Sequence, residues 1–163
     1  MKPTLISVLA AALLVQALPA SAQNAGQIAR VRAGASCPGC NLFQGDFGGL
    51  EARGLNLSGA RLRQSDMSLS VMNRTRFTSA DMRDVEAYGA VFSSSNFSRA
   101  DLTNASLVGT YLEGANFSGA TMVGTNLSGA SLLRATGLTQ AQLNRACGDE
   151  ATRLPGSLRI PAC

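Results

Sequence analysis

The chain repeats itself every five residues. Read in fives from Ala35, residues 35–134 divide into 20 units with no insertion. The third position is Leu, Phe or Met in 17 of the 20 units, Cys37, Ala52 and Ala87 being the exceptions. Elsewhere in the units such residues occur only at Phe43, Leu50, Leu55, Leu69 and Leu133. The first position is small except at Leu50, Leu55 and Val85, and the remaining positions are mostly polar or Gly. Sorting of this kind marks a repeat array. A period of five suits neither a helix of 3.6 residues per turn nor a strand of period two. It suits a coil that turns a corner every five residues. The large residue then fills the centre of a side, and the small one lets the backbone pass close to the axis. The fifth position sits where the chain turns.

The cleanest copies are Ala115-Asn116-Phe117-Ser118-Gly119 and Thr125-Asn126-Leu127-Ser128-Gly129. Ala100-Asp101-Leu102 and Ala80-Asp81-Met82 repeat their opening. This pattern resembles the pentapeptide repeat family. The resemblance implies an all-β fold, a right-handed quadrilateral β-helix with four pentapeptides per coil. Residues 35–134 would make about five coils, a stack about 24 Å long at the inter-strand spacing. Residues twenty apart should then share an interior ladder. One ladder is Cys37, Leu57, Phe77, Phe97 and Phe117; the next is Leu42, Leu62, Met82, Leu102 and Met122. Leu50 and Leu55 stand beside Ala52 and offset its missing volume.

The ends must differ from the middle, because a solenoid exposes unpaired backbone and apolar cross-section there. Residues 135–163 read as a C-terminal cap. Thr139 and Gln142 form a capping box, Leu143 and Ala146 give a short helix its apolar face, and Gly148 suits its end. The tail 154–161 reads as extended. Residues 23–34, with Ile28 and Val31, read as an N-terminal cap covering the first coil, leaning to a short helix. Residues 1–22 read as a signal peptide: Lys2, an apolar run over 5–18, then Ala20-Ser21-Ala22. That run is shorter than the roughly 20 residues a spanning helix needs. No membrane span is expected after cleavage, and the protein is expected in the periplasm or outside the cell.

Four cysteines in an exported chain favour disulfides. Cys147 with Cys163 would staple the tail to the capping helix, worth roughly 3 kcal/mol by chain entropy. Cys37 and Cys40 both point inward, as a local disulfide or as two buried thiols. One zinc site for all four is excluded by their placement at opposite ends of the stack. Redox chemistry at Cys37 and Cys40 lacks the helix N-terminus that such a motif needs.

The chain has no His, which removes Ser-His-Asp, Cys-His and His-metal chemistry. No catalytic residue, cofactor site or metal site is expected. Lys2 is the only lysine, so the net charge of +4 is almost wholly arginine. Arg61 should lie over Asp81 as a surface ion pair worth under about 1 kcal/mol. Arg63 over Arg83 makes a like-charged stack able to take an anion or a partner. Without lysines or interleaved aromatics it is a poor nucleic-acid patch, and no nucleic acid is expected as partner.

These features point to a non-enzymatic exported protein that presents a structural or protein-interaction surface to an unidentified protein partner. The resemblance offers an alternative, since some family members mimic DNA and bind DNA gyrase. That role goes with an acidic, cytoplasmic protein, and this chain departs on both counts. A thiol-redox or metal-binding role for Cys37 and Cys40 is the lesser alternative.

Overall fold

A computed structural model describes residues 23–163. The proposed signal peptide lies outside the described residues. From Asn41 onward the backbone returns beside itself every twenty residues through isolated parallel bridges. Asn41 pairs with Arg61, Arg61 with Asp81, Asp81 with Asp101 and Asp101 with Thr121. Parallel series of the same kind start at Asp46, Glu51 and Asn56. Four series per twenty residues give the coil four sides. We call them first to fourth, with interior ladders beginning at Cys37, Leu42, Phe47 and Ala52.

Among the described residues no continuous strand forms, because only one residue per side reaches ladder geometry before the chain turns. The turn closes from the third position: Ser65 N–H donates to Leu62 O at 3.0 Å and Ala100 N–H to Phe97 O at 3.0 Å. Its next-to-last residue is the fifth position of the unit, and all twenty fifth positions have positive φ. This is the left-handed residue of a type II-like turn, which favours Gly. Only ten of the twenty are Gly; Gln64, Leu69, Arg74, Ser79 and Asp84 are five successive exceptions.

The large third-position side chains are buried throughout, including Leu57, Leu62, Met82, Leu102 and Met122. Phe77 and Phe97 stack with ring centres 5.0 Å apart, and Phe97 and Phe117 with centres 5.2 Å apart. Phe92 meets Phe77 and Phe97 edge-on. Pairs of this geometry add about 0.5–1.5 kcal/mol beyond area burial. Leu55 is buried beside Ala52 and Leu50 partly so.

The ends are closed by side chains standing in for a missing coil. Helix α1, Ala25–Arg32, is capped by Asn24, whose side chain accepts from Gln27 N–H. It buries Val31 completely. Gln27 Oε1 accepts the Asn41 N–H at 2.7 Å, and Arg32 donates to Asp46 O at 2.6 Å. At the other end Thr136 still pairs with Asn116, and Gly137 then leaves the register with φ +71°. A side chain there would meet Ser118 N at 2.6 Å. Helix α2, Gln140–Leu143, carries the capping box on Thr139 and Gln142. The Gln142 amide also donates to Phe117 O and Ala120 O, both at 2.9 Å. Cys147 and Arg153 pair with Asn126 and Ser131 as a partial further coil.

Two expectations about this cap are corrected. Gly148 does not end the helix, which stops at Asn144. Its N–H instead donates to Pro161 O at 2.9 Å, holding the tail. Nor is the tail extended throughout: it turns at 155–157, where Gly156 takes positive φ. Pro155 and Gly156 are good turn formers, and the chain must reverse to bring Cys163 back to Cys147.

Candidate functional site

Both cysteine pairs are disulfides, Cys37 with Cys40 and Cys147 with Cys163, and none of the described cysteines is free. The first binds adjacent units of the opening coil. The second ties the last residue to the strand-like segment above Asn126.

The arginines of the second side are brought together, but not as expected. Arg61 and Asp81 are ladder partners, yet they form no ion pair. Asp81 instead accepts two hydrogen bonds from the Arg83 guanidinium, at 2.8 and 2.6 Å. Arg83 follows on the same side two residues later, so its fork meets the carboxylate bidentately. That contact, with burial working against it, holds the Asp81 carboxyl below its usual range and pushes the Arg83 guanidinium up. Arg83 also lies 3.6 Å from Asp101, and Arg63 pairs with Asp84 at 3.4 Å. Arg63 and Arg83 are therefore each paired with a carboxylate.

Sequence reasoning missed a different surface. The exposed large apolar side chains among the described residues are Leu69, Tyr88, Tyr111 and Leu133. All four stand on the third and fourth sides. Leu69 is 63% exposed, Tyr88 59% and Tyr111 55%, so each offers most of its side chain to solvent. The half-buried Val71 and Val91 stand in one outward ladder with Tyr111, and Val108 lies one coil on from Tyr88. Leu69, Tyr88 and Tyr111, with these valines, form an apolar corner between the third and fourth sides, and Leu133 stands apart at the far edge of the fourth side. The signal was present in the departures from the unit: Leu69 is a large residue at a turn position. Tyr88 and Tyr111 are the only tyrosines.

Residues 55–93 and 95–132 match the family profile of pentapeptide repeats, in eight copies. The chain belongs to the pentapeptide repeat family. No curated protein sequence matches it. Among solved structures it is similar to a pentapeptide repeat protein from the cyanobacterium Cyanothece 51142. The identity is 20%, over 78% of this chain and 97% of that one, with a TM-score of 0.37. HetL, a pentapeptide repeat protein involved in heterocyst differentiation regulation from the cyanobacterium Nostoc sp. strain PCC 7120, is 26% identical. That match covers 78% of this chain and 60% of that one, with a TM-score of 0.36. A pentapeptide repeat protein of the Arabidopsis thaliana thylakoid lumen is 26% identical over 75% and 83% of the two chains, with a TM-score of 0.32. These global likenesses are low, and the family rests on the repeat itself.

Among the described residues no group of three His, Cys, Asp or Glu side chains is placed to hold a metal ion. No helix there is long and apolar enough to cross a membrane. A cleft of about 530 Å³ lies at the C-terminal cap between Ser128, Asp149 and Ile160. Asp149 is already committed: its Oδ1 accepts from Gly129 N–H at 2.8 Å, where the next coil's carbonyl would stand. That bond, chiefly, lowers the Asp149 pKa against some desolvation.

Proposed function

We propose that this pentapeptide repeat protein is exported and acts, without catalysing a reaction, as a protein-interaction surface. The observation that carries the reading is the apolar corner of Leu69, Tyr88 and Tyr111. Exposed aromatic residues on a rigid support are what a partner's pocket can anchor on, since their rotamers cost little to fix. The proposal takes residues 1–22 as a signal peptide and 23–34 as the N-terminal cap. Residues 35–134 form a right-handed quadrilateral β-helix of five coils, and 135–163 the C-terminal cap. Two disulfides suit an oxidising compartment outside the cytoplasm. With the leader removed, thirteen arginines face ten acids. A surface of that sign is a poor imitation of DNA.

The test has two parts. Fractionation and intact mass should find a chain beginning at Gln23 outside the cytoplasm. The wild type and a Tyr88→Ser/Tyr111→Ser variant would then capture proteins in parallel from the exported fraction. A protein retained by the wild type and lost by the variant, with unchanged circular dichroism, supports the reading. An uncleaved cytoplasmic chain refutes export, and identical capture by both chains refutes the corner. Inhibition of gyrase supercoiling by the purified protein would favour the DNA-mimic reading instead.

A further inference from the structure

We propose a second site, an oxyanion-binding cleft on the corner between the fourth and first sides. It is a 170 Å³ recess lined by Arg53, Asn73, Arg74, Ser93 and Ser94. Arg53, Asn73 and Ser93 occupy one outward ladder position in three successive coils, and Arg74 and Ser94 occupy the turn position beside it. The register alone therefore gathers two guanidinium groups, an amide and two hydroxyls from residues up to 41 apart in sequence.

The chemistry of the lining has one sign. Every lining side chain carries a hydrogen-bond donor and none is a carboxylate. Among the described residues Arg53 and Arg74 join no ion pair, in contrast to Arg32, Arg63, Arg83 and Arg134. The acids of the fourth side stand outside the recess: Glu113 is engaged by Arg134 at 2.8 Å, and Glu51 lines a separate cleft with Arg32. Asn73 is oriented for donation. Its Oδ1 accepts the Ser93 N–H at 2.9 Å, which leaves the amide nitrogen as the group without a protein partner. The reason lies two positions earlier. Units with Asn or Asp at the second position satisfy this N–H locally, as Asn96 does for Ser98 and Asp101 for Thr103. The fourth side has Val91 there, so Asn73 supplies the acceptor from the neighbouring coil.

Arg74 adds a conformational argument. It holds φ +58°, a left-handed conformation that disfavours side chains. Two guanidinium groups lining one recess can present several N–H donors to one tetrahedral anion. The matching ligand is a phosphate or sulfate group, free in solution or carried on an anionic lipid headgroup.

The experiment titrates isotope-labelled mature protein with inorganic phosphate at constant ionic strength, following the backbone amides of Asn73, Arg74, Ser93 and Ser94. In parallel, sedimentation with phosphatidylcholine vesicles containing phosphatidylglycerol reads headgroup binding. The variants are Arg53→Gln/Arg74→Gly, which keeps the turn conformation accessible, and Arg61→Gln, which removes one unpaired charge from the second side. Saturable shifts confined to the cleft, weakened at least ten-fold by the double variant and unchanged by Arg61→Gln, establish a free-anion site. Vesicle binding with that same variant pattern, without shifts from phosphate, assigns the headgroup. Binding that all variants share, or no binding to either probe, overturns the proposal.

Discussion

Residues 64–84 and residues 109–129 are built from the same unit, yet they solve it differently. In the later segment the five left-handed turn positions are all Gly, from Gly109 to Gly129. In the earlier one they are Gln64, Leu69, Arg74, Ser79 and Asp84. The buried small position differs in parallel. Thr110 and Thr125 donate their hydroxyls to Leu107 O and Leu102 O, at 2.7 and 2.8 Å. The hydroxyls of Ser65, Ser70 and Thr75 are buried without a hydrogen-bond partner. Both departures cost stability. The earlier segment also carries Leu69 of the apolar corner and Arg74 of the donor-lined cleft. The later one comes closest to a pure scaffold. The interior ladder is continuous through both, so it is the core that lets the outer positions vary.

The largest expected effect tests that common core. Phe77→Ala removes a ring stacked on Phe97 and should cost about 3–5 kcal/mol. Leu127→Ala, in the later segment, should cost about 2–5 kcal/mol. Urea unfolding of both variants checks whether the array melts as one unit; separate transitions would show that the segments are coupled only weakly.

The turn position should reverse sign between the segments. Gly119→Ala meets only Arg99 Cγ at 3.5 Å, an ordinary contact, so its cost is backbone strain of about 1 kcal/mol. Arg74→Gly relieves the same strain and, against the glycine's greater chain entropy, should stabilise by up to about 1 kcal/mol. Thermal midpoints of the two variants are the measurement, and shifts of equal sign would break the comparison. The buried hydroxyls give a similar reversal. Ser70→Ala should be neutral to stabilising by about 1 kcal/mol, whereas Thr125→Val should destabilise by about 1 kcal/mol.

The smallest effect concerns the caps. Asp46 accepts from Gly48 N–H and pairs with Arg32 on α1, and Asp149 accepts from Gly129 N–H. Both carboxyls are held below the ordinary value of 3.8. A lowered carboxyl stabilises fully above that ordinary value and loses its contribution as pH falls through the lowered one. Amide protection factors at Gly48 and Gly129 should therefore fall below pH 4 before those of the central coils. Uniform loss of protection along the stack would contradict this.

Much of this was legible in the sequence, for a physical reason. Burial sorts residues by size, so the third and first positions recorded which side chains face inward, and Phe77, Phe97 and Phe117 recorded the twenty-residue return. Thr139 and Gln142 likewise wrote a local capping motif into adjacent positions. Arg61 and Arg83 were harder. Register placed Arg61 over Asp81, but the choice of ion-pair partner depended on side-chain reach, and the bidentate Arg83 won. The apolar corner and the donor-lined cleft were harder still, because their residues are neighbours only across coils. The cap contacts of Gln27 and Asp149 joined side chains to backbone groups 14 and 20 residues away, a relation no local pattern carries.

Those cap contacts have a consequence for growth. A parallel ladder is a template, and any exposed terminal rung invites another chain to continue it. Here Gln27, Gln142, Asp149 and Thr152 already occupy rung groups at the two ends. A second copy seeking to extend the stack would first have to expel them. The same four side chains that close the fold thus oppose its end-to-end growth into a fibre.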